Sequence, residues 1–283
     1  MAVVLPVVSA TFAPHTKPIL VTIYEADRPI TQMPRTMHCH DNLLEIILIH
    51  EGKGMYSIDG KTYETEQGDM LIIDSGTVHD ESAVSQSDLL IGSCGVAQLV
   101  IPGLPENHLL QPHQSPLLKT GAMFSQLSQL MKAMYMYTVD ISCASAEAAN
   151  YLLQAFLVSV YQLLQQRQEK NGADEDNELA RQIKTFVDEH YMEPLTLAEL
   201  ATQFHVSSSY VTRIYKKIYG YAVMQYIMRR RIGEAQTLLI DTNLSLTEIA
   251  LRVGYSSSSY FHDMFTKLTG ISPRKYREIY RAV

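Results

Sequence analysis

Thr196-Leu197-Ala198-Glu199-Leu200-Ala201 and Ser245-Leu246-Thr247-Glu248-Ile249-Ala250 are two copies of one segment, and they decide the fold of the C-terminal part. Each opens with a capping box, in which a hydroxyl and a carboxylate satisfy N–H groups that a helix start leaves without partners. Downstream, Val206-Ser207-Ser208-Ser209 aligns with Tyr255-Ser256-Ser257-Ser258, with Ser259 as one inserted residue. Tyr210-Val211 then matches Tyr260-Phe261, Tyr215 matches Phe265, Lys217 matches Lys267 and Gly220 matches Gly270. An internal repeat of this length is one supersecondary unit used twice. Each copy predicts a short helix, a tight turn through His205-Val206-Ser207 or Gly254-Tyr255-Ser256, and a second helix, which is the helix-turn-helix layout. In the second helices Val211, Ile214, Tyr215 and Ile218, and Phe261, Met264, Phe265 and Leu268, share an apolar face. The opposite faces carry Ser208, Ser209, Thr212, Arg213, Lys216 and Lys217 in the first copy, and Ser258, Ser259, His262, Asp263, Thr266 and Lys267 in the second. Such groups reach base edges and phosphates, so they are candidate contacts to double-stranded DNA. A helix expected over 226–240, with Arg229-Arg230-Arg231 near its start, would hold the two units for successive major grooves about 34 Å apart.

The rest of the chain is consistent with a multidomain α+β protein. Its 283 residues are 46% hydrophobic and 19% charged, a globular composition suited to two domains. The net charge of -7 divides unevenly. Residues 177–283 carry 14 Lys+Arg against 10 Asp+Glu, and residues 1–176 carry the remaining 9 against 20. An acidic half joined to a mildly basic one suits sensing at one end and phosphate contact at the other. No apolar run approaches the ~18 residues of a membrane helix. Met1-Ala2-Val3-Val4-Leu5-Pro6 lacks the basic start of a signal peptide. Cys39, Cys94 and Cys143 are few and unpatterned, which predicts a cytoplasmic protein without a disulfide framework.

Short β-branched runs at 45–49 and 70–73, bounded by Glu51-Gly52, Asp59-Gly60, Gly68-Asp69 and Ser75-Gly76, predict a small β-barrel. Asp59-Gly60 suits a type I′ hairpin. Two helical stripes follow, through Phe124, Leu127, Leu130, Met131 and Met134, and from Leu152 to Leu164. The second is broad enough to pack on its own domain and on a second copy. The expected division is a β-barrel over 1–116, a helical dimerisation region over 117–170, a linker over 171–177 and an all-α DNA-binding domain over 178–283.

The stretch from Ile249 through Gly254-Tyr255-Ser256 to Phe261, continued by Phe265, Lys267, Gly270-Ile271-Ser272-Pro273, Tyr276 and Arg277, resembles the signature of the AraC family of bacterial transcription regulators. The resemblance covers both helix-turn-helix units. It implies activation or repression of transcription, activation being the commoner mode, by a homodimer that meets RNA polymerase and carries a small-molecule sensor. The family usually has basic residues where Asp263 and Thr266 stand. An Asp repels phosphate and accepts from cytosine N4 rather than donating to guanine. The first unit, which keeps Arg213 and Lys216, is therefore expected to supply most of the affinity. Pairing of Asp263 with a nearby Arg or His is the alternative to base reading.

In the acidic half, His38-x-His40-x4-Glu45-x6-Gly52 is followed by Gly68-x7-Gly76-x2-His79. His38 and His40 at i and i+2 on a strand would share a face, and Glu45 and His79 could join them. Imidazole and carboxylate suit Zn, Mn, Fe or Ni. The spacing is similar to the two motifs of the cupin family, a small β-barrel, although Asp74 replaces that family's usual proline. Three readings stand side by side: a divalent metal site, a metal-free effector pocket lined also by Tyr56, and structural histidines. No cofactor is required by the second. The acidic domain disfavours anionic effectors, and the resemblance implies frequent sugar effectors, so a carbohydrate is the expected class. The leading expectation is a non-enzymatic, effector-controlled DNA-binding regulator. The alternative is a metal-dependent cupin enzyme fused to a DNA-binding domain.

Overall fold

The structure, a computed structural model, describes residues 11–13, 16–26, 36–80, 89–111, 114–139, 142–166 and 175–281. Its strands are β1 (Ile19–Ala26), β2 (Leu44–Glu51), β3 (Lys53–Ile58), β4 (Lys61–Glu66), β5 (Asp69–Ile73), β6 (His79–Asp80), β7 (Leu90–Ala97) and β8 (Leu117–Lys119). They form a five-stranded sheet of order β1-β7-β2-β5-β8 and a three-stranded sheet of order β4-β3-β6. Neighbouring strands run antiparallel.

β2 shows how the sequence builds the two layers. Side chains alternate between faces along a strand. Leu44, Ile46 and Leu48 pack with Leu127, Met131 and Met134 of α1 (Phe124–Val139) and with Leu153, Phe156, Leu157, Val160 and Leu164 of α2 (Cys143–Gln166). Ile47 and Ile49 point the other way, into an interior shared with Tyr56 and Ile58 of β3 and Leu71 and Ile73 of β5. Glu45 has the parity of Ile47 and Ile49, which aims it into that interior. Both helical stripes thus cover the large sheet. The β3–β4 hairpin turns at Asp59 (φ 49°) and Gly60 (φ 77°), the paired left-handed residues of a type I′ turn.

Three expectations are corrected. Leu117–Lys119, taken as the start of the helical region, pairs with β5 as a strand. α3 (Glu175–His190) begins inside the stretch expected as a linker, and residues 171–174 lie outside those described. The inserted residue of the repeat is not Ser259 but lies in the turn. α4 (Leu197–Gln203) and α7 (Leu246–Arg252) are both 7 residues long, and α5 (Ser208–Tyr219) and α8 (Ser258–Thr269) both 12. The second helices are capped by Ser207 and Ser257. An extra residue inside a helix would rotate every later side chain by about 100°, whereas a turn absorbs it without moving the apolar face.

The two copies fold as the repeat requires. Both capping boxes form, Thr196 with Glu199 and Ser245 with Glu248. His205 (φ 54°) and Gly254 (φ 88°) take the same left-handed conformation in the two turns. α6 (Val223–Asp241) connects the units, and α9 (Pro273–Arg281) ends the described chain. Val211, Ile214 and Tyr215 of α5 pack with α3, α4 and α6, while Phe261 and Phe265 of α8 pack with Ile249, Tyr276 and the second half of α6. The first of these cores also contains Met37 and Val78 of the N-terminal part.

Candidate functional site

The first unit displays its polar face at the surface. Ser208, Ser209, Thr212, Arg213, Lys216 and Lys217, all expected contacts, line one groove of about 490 Å³ together with Leu197. The Arg213 guanidinium lies over the Tyr210 ring at 5.0 Å, which orients it without neutralising its charge. In the second unit Ser258, Ser259, His262 and Asp263 line a groove of about 450 Å³ with Leu246, Thr247, Phe261 and Pro273. Lys267 is exposed in the last turn of α8, away from that groove. Asp263 stands 3.7 Å from the His262 imidazole, and its side chain is 81% exposed. The cationic Arg213 and Lys216 of α5 thus correspond to the acidic Asp263 and the neutral Thr266 of α8.

His38, His40, Glu45 and His79 converge, with one ligand atom from each lying within 4.8 Å of the others. His38 is not on a strand, as the i and i+2 spacing suggested. It forms an isolated bridge with His79, through N–H···O contacts of 2.9 Å in both directions. Each of these two rings turns its Nδ1–H toward a backbone carbonyl two residues back, Thr36 for His38 and Thr77 for His79, at 3.1 Å. The Nε2 atoms of the two rings are thereby left on the inner side of the cluster. His79 Nε2 lies 3.1 Å and His40 Nε2 3.7 Å from Glu45 Oε2. The Ser93 hydroxyl donates to Glu45 Oε1 at 2.8 Å. Burial raises the Glu45 carboxyl, but the hydrogen bond and charge of His79, the charge of His40 and the Ser93 hydroxyl outweigh it and hold the pKa at about 2. Tyr56, expected beside the cluster, is buried in the apolar interior with Ile47, Ile49 and Ile58.

The elements that carry the cluster also carry the C-terminal part. Thr36 donates from its N–H and its hydroxyl to Gln236 Oε1, at 2.8 and 2.6 Å. A Cβ at Gly233 would overlap the Met37 carbonyl, so α6 touches this segment backbone to backbone. Asp80, next to His79, accepts from Arg229 at 2.9 Å. Lys184 of α3 bridges Asp59 of the β3–β4 turn and Asp188, both at 2.7 Å. Burial would lower its pKa, but the two carboxylates prevail and raise it. The arginine run expected only as part of a connecting helix is thus a structural clamp. Arg229 holds Asp80, Arg230 is buried against Asp188 and the Tyr191 ring, and Arg231 donates to the carbonyls of Tyr191 and Glu193.

Residues 200–279 match the family model described as a helix-turn-helix domain, and residues 19–157 match that of the AraC-like ligand binding domain. The chain belongs to the AraC family of transcription regulators. It is 27% identical over 252 residues to the HTH-type transcriptional regulator YdiP of Escherichia coli, covering 86% of this chain and 81% of that one. It is 26% identical over 255 residues to the HTH-type transcriptional activator RhaR of Mannheimia succiniciproducens, covering 87% and 88%. Among solved structures, ToxT of Vibrio cholerae, crystallised with an unsaturated fatty acid bound, superposes with a TM-score of 0.52 at 14% identity, covering 95% of this chain and 98% of that one. That likeness speaks for the fold.

This AraC-family chain is therefore a DNA-binding transcription regulator with an N-terminal ligand-binding domain. No helix among the described residues is long and apolar enough to cross a membrane. Several site residues had no signal in the motifs. Ser93 was reachable in principle, because a polar residue facing inward on a buried strand is unusual. Asp59, Asp80 and Gln236 were not, since their partners lie on elements far away in sequence.

Proposed function

We propose that this regulator senses a small effector at His38, His40, Glu45 and His79 and converts its binding into a change of operator occupancy. The carrying observation is a polar cluster whose three histidines lie on the same short elements, 36–40 and 79–80, that hold α6 of the DNA-binding part. An effector alters an equilibrium only through different affinity for its two states. A site whose walls are also docking residues provides that difference.

In this reading residues 1–116 sense, 117–170 pair two copies into a homodimer, and 178–283 read DNA. The first helix-turn-helix supplies most of the affinity, through Arg213 and Lys216. The protein acts in the cytoplasm by binding rather than catalysis. The naming of one relative as an activator supports activation through RNA polymerase. A relative 35% identical over 98 residues is named as the melibiose operon regulatory protein, so carbohydrates are the first organic effectors to screen.

The test is selection of sheared genomic DNA by the purified full-length chain at near-physiological salt, followed by sequencing. A few sharp sites upstream of a gene cluster are expected. Uniform recovery with a steep salt dependence would mean non-specific phosphate binding and would overturn the reading.

A further inference from the structure

Counted from the caps Ser207 and Ser257 to the left-handed Gly220 and Gly270, α5 and α8 match residue for residue. Their polar faces share the paired serines and the lysine of the last turn, Lys217 or Lys267. They differ where Thr212, Arg213 and Lys216 are replaced by His262, Asp263 and Thr266. The face of α5 thus carries Arg213, Lys216 and Lys217, whereas that of α8 sets Lys267 against Asp263. Asp263 lines the second groove as Arg213 lines the first, each beside two serines and a leucine of the preceding helix, Leu246 or Leu197. The carboxylate therefore occupies the place from which the arginine of the first unit would address a base.

That carboxylate is available. Its side chain is 81% exposed, and its charged neighbour among the described residues is His262, with Nδ1 3.7 Å from Oδ1. An exposed pair at that distance contributes little, so the imidazole biases the direction of the carboxylate without occupying it.

We infer that Asp263 is the specificity-determining residue of the second helix-turn-helix and that it selects a cytosine in the major groove. This rests on the DNA-reading role proposed above for residues 178–283 and names the base that α8 requires.

The choice follows from the edges that bases present. An ionised carboxylate only accepts hydrogen bonds. Guanine offers O6 and N7, both acceptors, and thymine offers O4, so both repel it. Adenine offers its N6 amino group but sets the N7 acceptor beside it. Cytosine alone presents an amino group, on N4, with no acceptor on the same edge. Selection here works mainly by rejection. Asp263 also repels phosphate, so α8 adds little affinity and instead decides which sequence the cations of α5 are allowed to hold.

The test uses the full-length chain and an operator from the genomic selection. The half-site of α5 is marked by the position where Arg213→Ala relaxes preference, and that of α8 lies about 34 Å further along the duplex. Every base pair of the second half-site is changed in turn to the other three, and affinity is measured. The parent should show one position where cytosine leads, by about 5- to 140-fold over guanine. Asp263→Asn should move the preference there to adenine, whose N6 and N7 an amide meets together, and Asp263→Arg should move it to guanine. Preferences elsewhere should stay fixed, and His262→Ala should leave cytosine first. Both residues are exposed, so melting temperatures should match the parent. An equal gain for all four bases in both Asp263 variants would mean that the carboxylate merely repels phosphate, and overturns the inference. Preferences that no Asp263 variant changes overturn it as well, as does a shift caused by His262→Ala alone. In each of these cases sharp sites for the parent leave the regulator reading standing. Absence of sharp sites for the parent overturns that reading and this one with it.

Discussion

Arg213 and Asp263 hold the same place in α5 and α8, and the difference between them is a difference of charge at the surface proposed to meet DNA. Arg213, poised over Tyr210, is preorganised to donate two hydrogen bonds to a guanine edge. Arg213→Ala should weaken operator binding by about 1–3 kcal/mol and relax preference at one base position. Quantitative binding to a set of single-base operator variants checks both. If Asp263→Ala abolishes binding while Arg213→Ala does nothing, the ranking of the two units is reversed. A second residue pair makes a stability prediction. His205 and Gly254 share a left-handed backbone, but only at Gly254 would a Cβ strike the carbonyl of Met192. Gly254→Ala should therefore destabilise by about 1–2 kcal/mol from the left-handed conformation alone, and by more from the collision. Urea denaturation of the full chain reads the loss. An unchanged midpoint would mean that the turn relaxes.

At the level of elements, most of the fold was legible because most of it is local. A capping box needs only residues i and i+3, an amphipathic helix only its own period, and a type I′ turn only two residues. Both capping boxes, both apolar faces and the Asp59-Gly60 turn form for these reasons. β8 was misread because Leu117-Leu118 beside a helical stripe fits either period. The repeat was misaligned by one residue because the run of serines from Ser256 to Ser259 offers no local mark of which one caps. Pairing with β5 and the need to keep Phe261 and Phe265 on one face settle the two cases. The caps themselves give the next prediction. Thr196→Ala and Ser245→Ala should each destabilise by about 1 kcal/mol, since each strands N–H groups at a helix start. The effects should add in the double variant, because the boxes cap separate helices in separate cores. Chemical denaturation of the three variants decides it, and marked non-additivity would mean that the two units unfold as one coupled element.

For the whole molecule, the sequence was silent where contacts join distant elements. His38, His40, Glu45 and His79 could be grouped because a known spacing relates them. The pairing of Thr36 with Gln236 or Asp80 with Arg229 follows no spacing at all. Gly233 shows what that hides. Inside a helix, Gly→Ala ordinarily stabilises by about 1 kcal/mol, and sequence alone would recommend the change in α6. Docking reverses the sign, because the new Cβ would meet the carbonyl of Met37. Gly233→Ala should thus strengthen α6 while loosening its hold on the β-domain. Cys39 reports the difference. Burial keeps its thiol pKa high, although Arg230, 3.6 Å from Sγ, opposes the shift. Undocking returns the thiol to water, lowers its pKa and speeds its reaction with a thiol reagent at neutral pH. Cys143 is exposed and should react at one rate in parent and variant. Cys94, fully buried and pushed up to about 12 by burial and by Glu45, should react only on unfolding. Timed labelling in metal-free buffer with mass-spectrometric readout separates the three. Faster labelling of Cys39 alone is the expected signature of release. Labelling of Cys94 at the same time would mean global unfolding instead, and an unchanged Cys39 rate would show that α6 is not held at Gly233.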